Sequence, residues 1–188
     1  TGMIVHPINI AKEDVDGLLA SAQYRLDGGK AGDFTFGLDY NYTLGHHAQT
    51  YPDDPNLDYL REPFYSSEFR RIISGSVTWE IGKWASTLYG IRYSKTPNYK
   101  AQINQAGYGA ITPGDPGNVG TQILYNGSVT YNANDNASIS LAVNNIANKE
   151  PPKDKTWTAY PYYNNFNYSG YGRSVFLEME VRFGGTKN

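Results

Sequence analysis

Period two governs the order of apolar and polar residues in this chain. From Phe34 to Leu44, the residues Phe34, Phe36, Leu38, Tyr40, Tyr42 and Leu44 fall on one side of an extended backbone, and Thr35, Gly37, Asp39, Asn41 and Thr43 on the other. These eleven residues alternate without an error. Six further stretches follow the same rule, the more apolar set being named first in each. Asp16 to Leu26 sets Leu18, Ala20, Ala22, Tyr24 and Leu26 against Gly17, Leu19, Ser21, Gln23 and Arg25. Phe69 to Ile81 sets Ile73, Gly75, Val77, Trp79 and Ile81 against Ile72, Ser74, Ser76, Thr78 and Glu80. Trp84 to Lys95 sets Ala85, Thr87, Tyr89, Ile91 and Tyr93 against Ser86, Leu88, Gly90, Arg92 and Ser94. Thr121 to Asn132 offers Ile123, Tyr125, Gly127, Val129 and Tyr131, and Asn136 to Ala147 offers Ala137, Ile139, Leu141 and Val143. Tyr171 to Phe183 sets Val175, Leu177, Met179, Val181 and Phe183 against Ser174, Glu178, Glu180 and Arg182, with Phe176 breaking the pattern.

The connections carry a second regularity. They run short (Asp27 to Asp33), long (His46 to Glu68), short (Gly82 and Lys83), long (Thr96 to Gly120), short (Ala133 to Asp135) and long (Asn148 to Gly170). An up-and-down barrel of the outer-membrane type alternates tight periplasmic turns with long outer loops in this way, whereas the crossovers of a β-sandwich do not. The short turns hold Asp27-Gly28-Gly29 and Asn134-Asp135-Asn136, residue types that tolerate positive φ. Strands of about 9 to 11 residues cross a bilayer core when tilted, and strands of soluble domains average about 5 or 6. The pattern therefore predicts an all-β chain of antiparallel transmembrane strands.

Composition sharpens this expectation. Mean hydropathy is −0.56, and no stretch approaches the roughly 18 uncharged apolar residues of a spanning helix. A barrel strand averages lipid-facing and lumen-facing residues, so low hydropathy is compatible with it. The 17 Tyr, 7 Phe and 3 Trp suit the interfacial girdles of such a barrel. A formal charge of −2, with 16 basic and 18 acidic residues mixed along the chain, argues against nucleic acid as a partner. The absence of Cys excludes a disulfide framework, a thiolate metal site and a Cys nucleophile. The opening residues Thr1, Gly2 and Met3 show neither the basic nor the apolar part of a signal peptide, and the expectation is that a leader was removed or that the chain begins in mid-protein.

Seven strands are an odd count, and single-chain bacterial barrels have an even one. Met3 to Ile10 is read as the remnant of an eighth strand, with Pro7 at a bulge or strand end. Two architectures satisfy the count: a complete eight-stranded barrel, or the last third of a larger one.

The C-terminal quarter favours the second. Leu141-Ala142-Val143-Asn144-Asn145-Ile146-Ala147-Asn148-Lys149-Glu150-Pro151-Pro152 resembles the penultimate strand of TonB-dependent outer-membrane receptors. The tract from Ala159 to Tyr168, followed by Tyr171-Gly172-Arg173, resembles that family's final loop and the start of its last strand. Tyr171, Gly172, Val181 and Phe183 resemble its barrel-assembly signal, although the chain continues through Gly184 to Asn188 where family members usually stop. The resemblance implies that residues 1–188 are the C-terminal portion of a barrel of 22 strands, with the plug domain and earlier strands elsewhere. It further implies location in the bacterial outer membrane and TonB-dependent active transport of a nutrient such as an oligosaccharide or siderophore. The implied partners are the rest of the receptor, the TonB complex through that part, the barrel-assembly machinery and outer-membrane lipid, with no cofactor. The alternative is a self-contained eight-stranded barrel with a structural or adhesive role.

Ligand contact is expected on the long loops. Trp157, Tyr160, Tyr162, Tyr163, Phe166 and Tyr168 crowd the third one among Asn164, Asn165 and Asn167, and flat rings beside amide groups suit sugars or large planar ligands. His46 and His47, with Asp53, Asp54 and Asp58, form a second candidate. Neighbouring residues of a strand point to opposite sides, which argues against joint chelation of a metal. The glycines Gly107, Gly109, Gly114, Gly117 and Gly120 lack the strand, Lys and helix of a phosphate-binding loop. Glu178 and Glu180 share a face with Arg182, an arrangement ordinary in a polar lumen, and no Ser, His and Asp constellation stands out. No catalytic residue and no enzymatic activity are expected.

Overall fold

The computed structural model describes residues 12–60, 68–98, 117–157 and 160–183. The proposed remnant strand Met3 to Ile10, most of the glycine-rich loop and the tail after Phe183 lie outside them. In chain order the strands are β1 (Lys12–Asp27), β2 (Asp33–Gln49), β3 (Leu57–Asp58), β4 (Arg71–Ile81), β5 (Trp84–Tyr93), β6 (Thr96–Pro97), β7 (Asn118–Val119), β8 (Gln122–Asn134), β9 (Ala137–Asn144) and β10 (Ser174–Val181). The described residues contain no α-helix, only a 3-10 turn at Gly29–Ala31.

The seven long strands form one antiparallel meander in the order β1-β2-β4-β5-β8-β9-β10, and β3 adds to β2. β6 and β7 pair separately. The sheet is open: among the described residues β1 pairs with β2 alone and β10 with β9 alone. All seven strands predicted from periodicity are present, extended by a few residues in β1 and β2 and shortened in β9 and β10.

Register explains why the alternation matters. Leu18, Ala20, Ala22, Tyr24 and Leu26 stand opposite Tyr42, Tyr40, Leu38, Phe36 and Phe34. Phe34, Phe36, Leu38 and Tyr40 in turn face Trp79, Val77, Gly75 and Ile73. On the far side Tyr131, Val129 and Gly127 face Ile139, Leu141 and Val143, which face Met179, Leu177 and Val175. Paired residues share a side of the sheet, so these strands present one continuous apolar face. A slip of one residue anywhere would turn a whole strand over.

β5 corrects the expectation. Trp79, Val77 and Gly75 pair with Ser86, Leu88 and Gly90, so the apolar face of β5 is Trp84, Ser86, Leu88, Gly90 and Arg92. Ala85, Thr87, Tyr89 and Ile91 lie instead with the polar residues Glu80, Thr78, Ser76 and Ser74. Both sides of β5 mix apolar residues with small or polar ones, Trp84 and Leu88 with Ser86 and Gly90 on one and Tyr89 and Ile91 with Ala85 and Thr87 on the other, and its neighbours, rather than its own hydropathy, set its face. The thin strip is filled from next door, since the Tyr125 ring lies over Gly90 and Ile146 reaches Gly127. On the polar face, cross-strand hydroxyl pairs close at 2.9 Å between Thr78 and Thr87 and between Thr130 and Ser140.

The sheet is a single layer with no core beneath it. Leu177, Met179 and Val175 are 60 to 71% exposed, and among the described residues the buried apolar side chains are only Ala48, Val119 and Tyr168, none in the middle of a long strand.

The short turns are fixed by local chemistry. Asp27 accepts from the Gly29 amide, Trp79 Nε1 donates to the Ala31 carbonyl at 2.7 Å, and Arg25 pairs with Asp33 at 3.0 Å. Positive φ is used at Gly29, Gly32 and Gly82, and not at Asn134, Asp135 or Asn136. There the Asn134 carboxamide accepts from the Asn136 amide at 2.9 Å, after a register shift between Asn132 and Asn134. Gly32 combines a φ of 88° with a site where a Cβ would strike the Glu80 carbonyl oxygen, Ile81 and Trp79. Gly29 has a φ of 58° and open space. We expect Gly32→Ala to destabilise the folded chain by about 2 kcal/mol or more and Gly29→Ala by about 1 kcal/mol. Urea midpoints of the two variants check this, and equal shifts would contradict the steric account.

Candidate ligand-binding loop layer

All long connections leave the sheet at one end of its strands, and there the chain gathers the buried side chains of the described residues. β2 runs past Leu44 to Gln49, and a bulge opposite Asp16 and Gly17 lets Gly45 follow Thr43 in the pairing with β1. β3 folds back so that Asp58 and Leu57 pair with His47 and Ala48. Tyr59 donates its amide to the His46 carbonyl and sets its ring 4.9 Å from the imidazole.

His46, beyond the alternating segment, is thereby buried between two carboxylates. Its Nδ1 lies 2.6 Å from Glu68 Oε1 and its Nε2 2.7 Å from Glu13 Oε1, with the side chain 9% exposed. Both ring nitrogens can donate only in the imidazolium form, which two carboxylates favour. Burial alone lowers the pKa; the hydrogen bonds and charges of Glu68 and Glu13 outweigh it, and the pKa is raised above 6.5. The histidine ties β1, β2 and the end of the first long loop together.

A second cluster joins the other two loops. Thr96 of β6 pairs with Val119 of β7, and Thr96, Val119, Asp154, Thr156 and Tyr168 are each at most 4% exposed. Asp154 accepts from both the amide and the hydroxyl of Thr156, at 2.8 and 2.7 Å, and donates its own amide to the Tyr162 carbonyl. Phe69 packs edge-on against Tyr168 at 5.4 Å and, tilted, against Tyr93 at 4.7 Å. Burial pushes the Tyr168 phenol above its ordinary range; Thr96 opposes this and the Asp154 charge adds to it. The Tyr168 hydroxyl itself has no hydrogen bond of good geometry.

The Asn-rich segment after β9 is a turn built by its amides. Asn145 and Asn148 take φ values of 51° and 50°, a region Asn enters more readily than most residues. The Asn145 carboxamide brackets Lys149, donating to its carbonyl at 2.9 Å and accepting from its amide at 2.8 Å, while its own amide donates to Asn126. Asn148 accepts from the Arg173 amide at 2.8 Å and so aligns the approach to β10. These anchoring roles went unread in the sequence, although Asn144-Asn145 and Asn148 before Lys149 are the signal that carries them.

The predicted aromatic set divides in two. Tyr168 is core, and Trp157 and Tyr163 are half-buried. Tyr160 and Phe166 are both 87% exposed, Tyr162 is about half exposed with a φ of 65°, and Tyr160 and Tyr162 meet edge-on at 6.3 Å. Tyr163, Phe166 and Tyr171 line an open cleft of ≈ 700 Å³ with Asn165, Asn167 and Ser169. Of the assembly-signal residues, Tyr171 and Phe183 are almost fully exposed, Gly172 approaches Asn148, and Val181 opposite Ala137 closes the apolar face of β10. His47 is half-buried beside Gly45, and His46 faces the two glutamates rather than the cleft.

No group of three or more His, Cys, Asp or Glu among the described residues is arranged to hold a metal ion. Glu180 is paired with Arg182 at 2.8 Å. The chemistry this layer offers is stacking and amide hydrogen bonding. Comparison with known protein families, with characterised proteins and with solved structures gave no match.

The His46 geometry makes stability depend on pH with a definite sign. A raised folded-state pKa gives a contribution fully present below the unfolded value near 6.5 and lost as pH rises through the folded value. Relative to His46→Gln, the native chain should lose stability across that window. Urea midpoints over a pH series check this, and a constant difference between the two proteins, or a His46 titration centred below 6.5, would contradict the buried imidazolium.

Proposed function

We propose that this chain forms C-terminal wall strands of a large outer-membrane β-barrel and takes part in TonB-dependent uptake of a nutrient ligand. The observation that carries the reading is a single-layer antiparallel sheet that is apolar on one face, polar on the other and, among the described residues, bare at both edges. An exposed apolar face of seven strands far exceeds the few hundred Å² that a soluble monomer tolerates, and lipid is the solvent that covers it. Bare edges within hydrocarbon leave backbone groups unsatisfied, so β1 and β10 need further strands; a large barrel supplies them. The strict alternation of tight turns and long loops supports a loop layer that lies outside the cell.

The transport half rests on the resemblance from Leu141 to Phe183. In this reading the plug, the earlier strands and the contact with the TonB complex belong to the remainder of the receptor. This chain contributes wall, the assembly signal near Phe183 and part of an outer vestibule where Tyr160, Tyr162, Phe166 and Tyr171 are free to stack on an oligosaccharide, siderophore or similar ligand.

The test is the intact mass and subunit content of the detergent-solubilised particle that contains this chain. A polypeptide several times larger, bearing a plug and held until denaturation, is the expected result. A chain that runs alone as a compact, heat-modifiable species would replace this reading with the small closed barrel. A second check addresses the faces: Leu38→Arg, at mid-strand on the apolar side, should cost about 2–4 kcal/mol in refolding into lipid, and Asn41→Arg on the polar side close to nothing. Equal costs would remove the lipid-facing assignment.

A further inference from the structure

Within the paired segments, charge on the apolar face is confined to the long-loop end. Between the β2 bulge and the short turns, Arg71 and Arg92 are the residues of Asp, Glu, Lys and Arg type on the paired segments of that face, and both lie at the long-loop end of adjacent strands; beyond the bulge, β1 adds Lys12, Asp14 and Asp16 at the same end. Arg92 is opposite Ile73, two residues from Arg71, so the two are diagonal neighbours. Arg70 joins them. Its guanidinium carbon is 5.4 Å from the centre of the Tyr42 ring, and that of Arg71 is 5.8 Å from the same centre.

Among the described residues no carboxylate lies within 4.0 Å of Arg70, Arg71 or Arg92, and Arg70 donates only to the Leu44 carbonyl at 3.3 Å. The nearest acid along the chain, Glu68, is engaged by His46. Two guanidiniums on one ring repel each other, more so beside a low-dielectric layer, and an anion with several oxygens relieves the repulsion by accepting from both. Immediately below them the same face is apolar at Tyr40 and Ile73. Phosphate above and hydrocarbon below are the two halves of a lipid.

We propose that Arg70, Arg71 and Arg92 bind the phosphate of lipid headgroups at the outer rim of the apolar face. The proposal rests on the barrel reading, which makes this rim the headgroup layer of the outer leaflet. It assigns Tyr42 a positioning role, holding two guanidiniums side by side.

The test uses the detergent-solubilised particle and native mass spectrometry with dioleoyl phosphatidic acid, against dioleoyl phosphatidylcholine as the lipid of no net charge. The intact protein should retain phosphatidic acid, and the double variant Arg70→Gln, Arg71→Gln should retain about tenfold less. Lys30→Gln with Lys83→Gln, at the short-turn end, should leave retention unchanged. Arg70→Lys with Arg71→Lys, which keeps the charges without the fork, should hold an intermediate amount and guards against misfolding of the Gln variant. Equal retention by native and Gln proteins, or no preference over phosphatidylcholine, overturns the proposal. Displacement by millimolar inorganic phosphate overturns it also, since the site then takes a soluble anion. A chain that partitions away from membranes ends both this proposal and the barrel reading. A chain that stays in them without arginine-dependent lipid ends this proposal alone.

Discussion

The pairing register is the constraint on which the rest of this structure depends. Phe34 opposite Trp79 and Leu26, Leu141 opposite Val129 and Leu177: each such pair commits two strands to present their apolar residues on the same side. No packed core enforces that choice, because the sheet has none. The choice is enforced by the turns, which are short, internally hydrogen-bonded and, at Gly32, sterically intolerant of a side chain. A sheet of this kind is stable only where something covers one face and something pairs with its edges, and these two needs underlie the proposed barrel.

The loop layer answers a different need. Segments that leave the sheet must find partners for their backbone groups, and the chain meets this with amides and carboxylates rather than aliphatic packing. Asp154 gathers Thr156, Asn145 brackets Lys149, Asn148 receives Arg173, and His46 clamps Glu13 to Glu68. The first two brace a single connection from within, and the last two join segments that are far apart in the chain. Directional polar bonds fix loop geometry where apolar contact alone would let it slide, and the fixed base leaves Tyr160 and Phe166 projecting freely. His46 between its two carboxylates and the arginine rim are two charged features of this end. One is satisfied within the chain, and the other has no anion among the described residues.

Strand existence and span were legible because period two is a local property: eleven residues from Phe34 to Leu44 declare both faces without reference to anything else. The alternation of short and long connections was legible for the same reason, since strand ends are marked by Gly, Asn and Asp. β5 was misread because its two sides differ little in hydropathy, Ser86 and Gly90 against Ala85 and Thr87, so the information lies in Val77 and Val129 on its neighbours. Asn134 to Asn136 are types that tolerate positive φ, yet their turn is closed by a side-chain hydrogen bond without it, and φ near 50° is used instead at Asn145 and Asn148. Asn serves both purposes, and sequence does not say which.

By itself, then, the sequence determined an all-β chain of seven long strands, their order along a meander and the amphipathic character of all but one of them. Those follow from residue-by-residue alternation and turn composition, which act within a few residues. Tertiary structure alone decided which face β5 presents, that Tyr168 is core while Tyr160 and Phe166 are surface, that His46 sits between two glutamates, and that Arg70 and Arg71 share Tyr42. Each of these joins residues from different strands or loops. The free energy of such contacts depends on which segments the register brings within reach, and no local pattern encodes that.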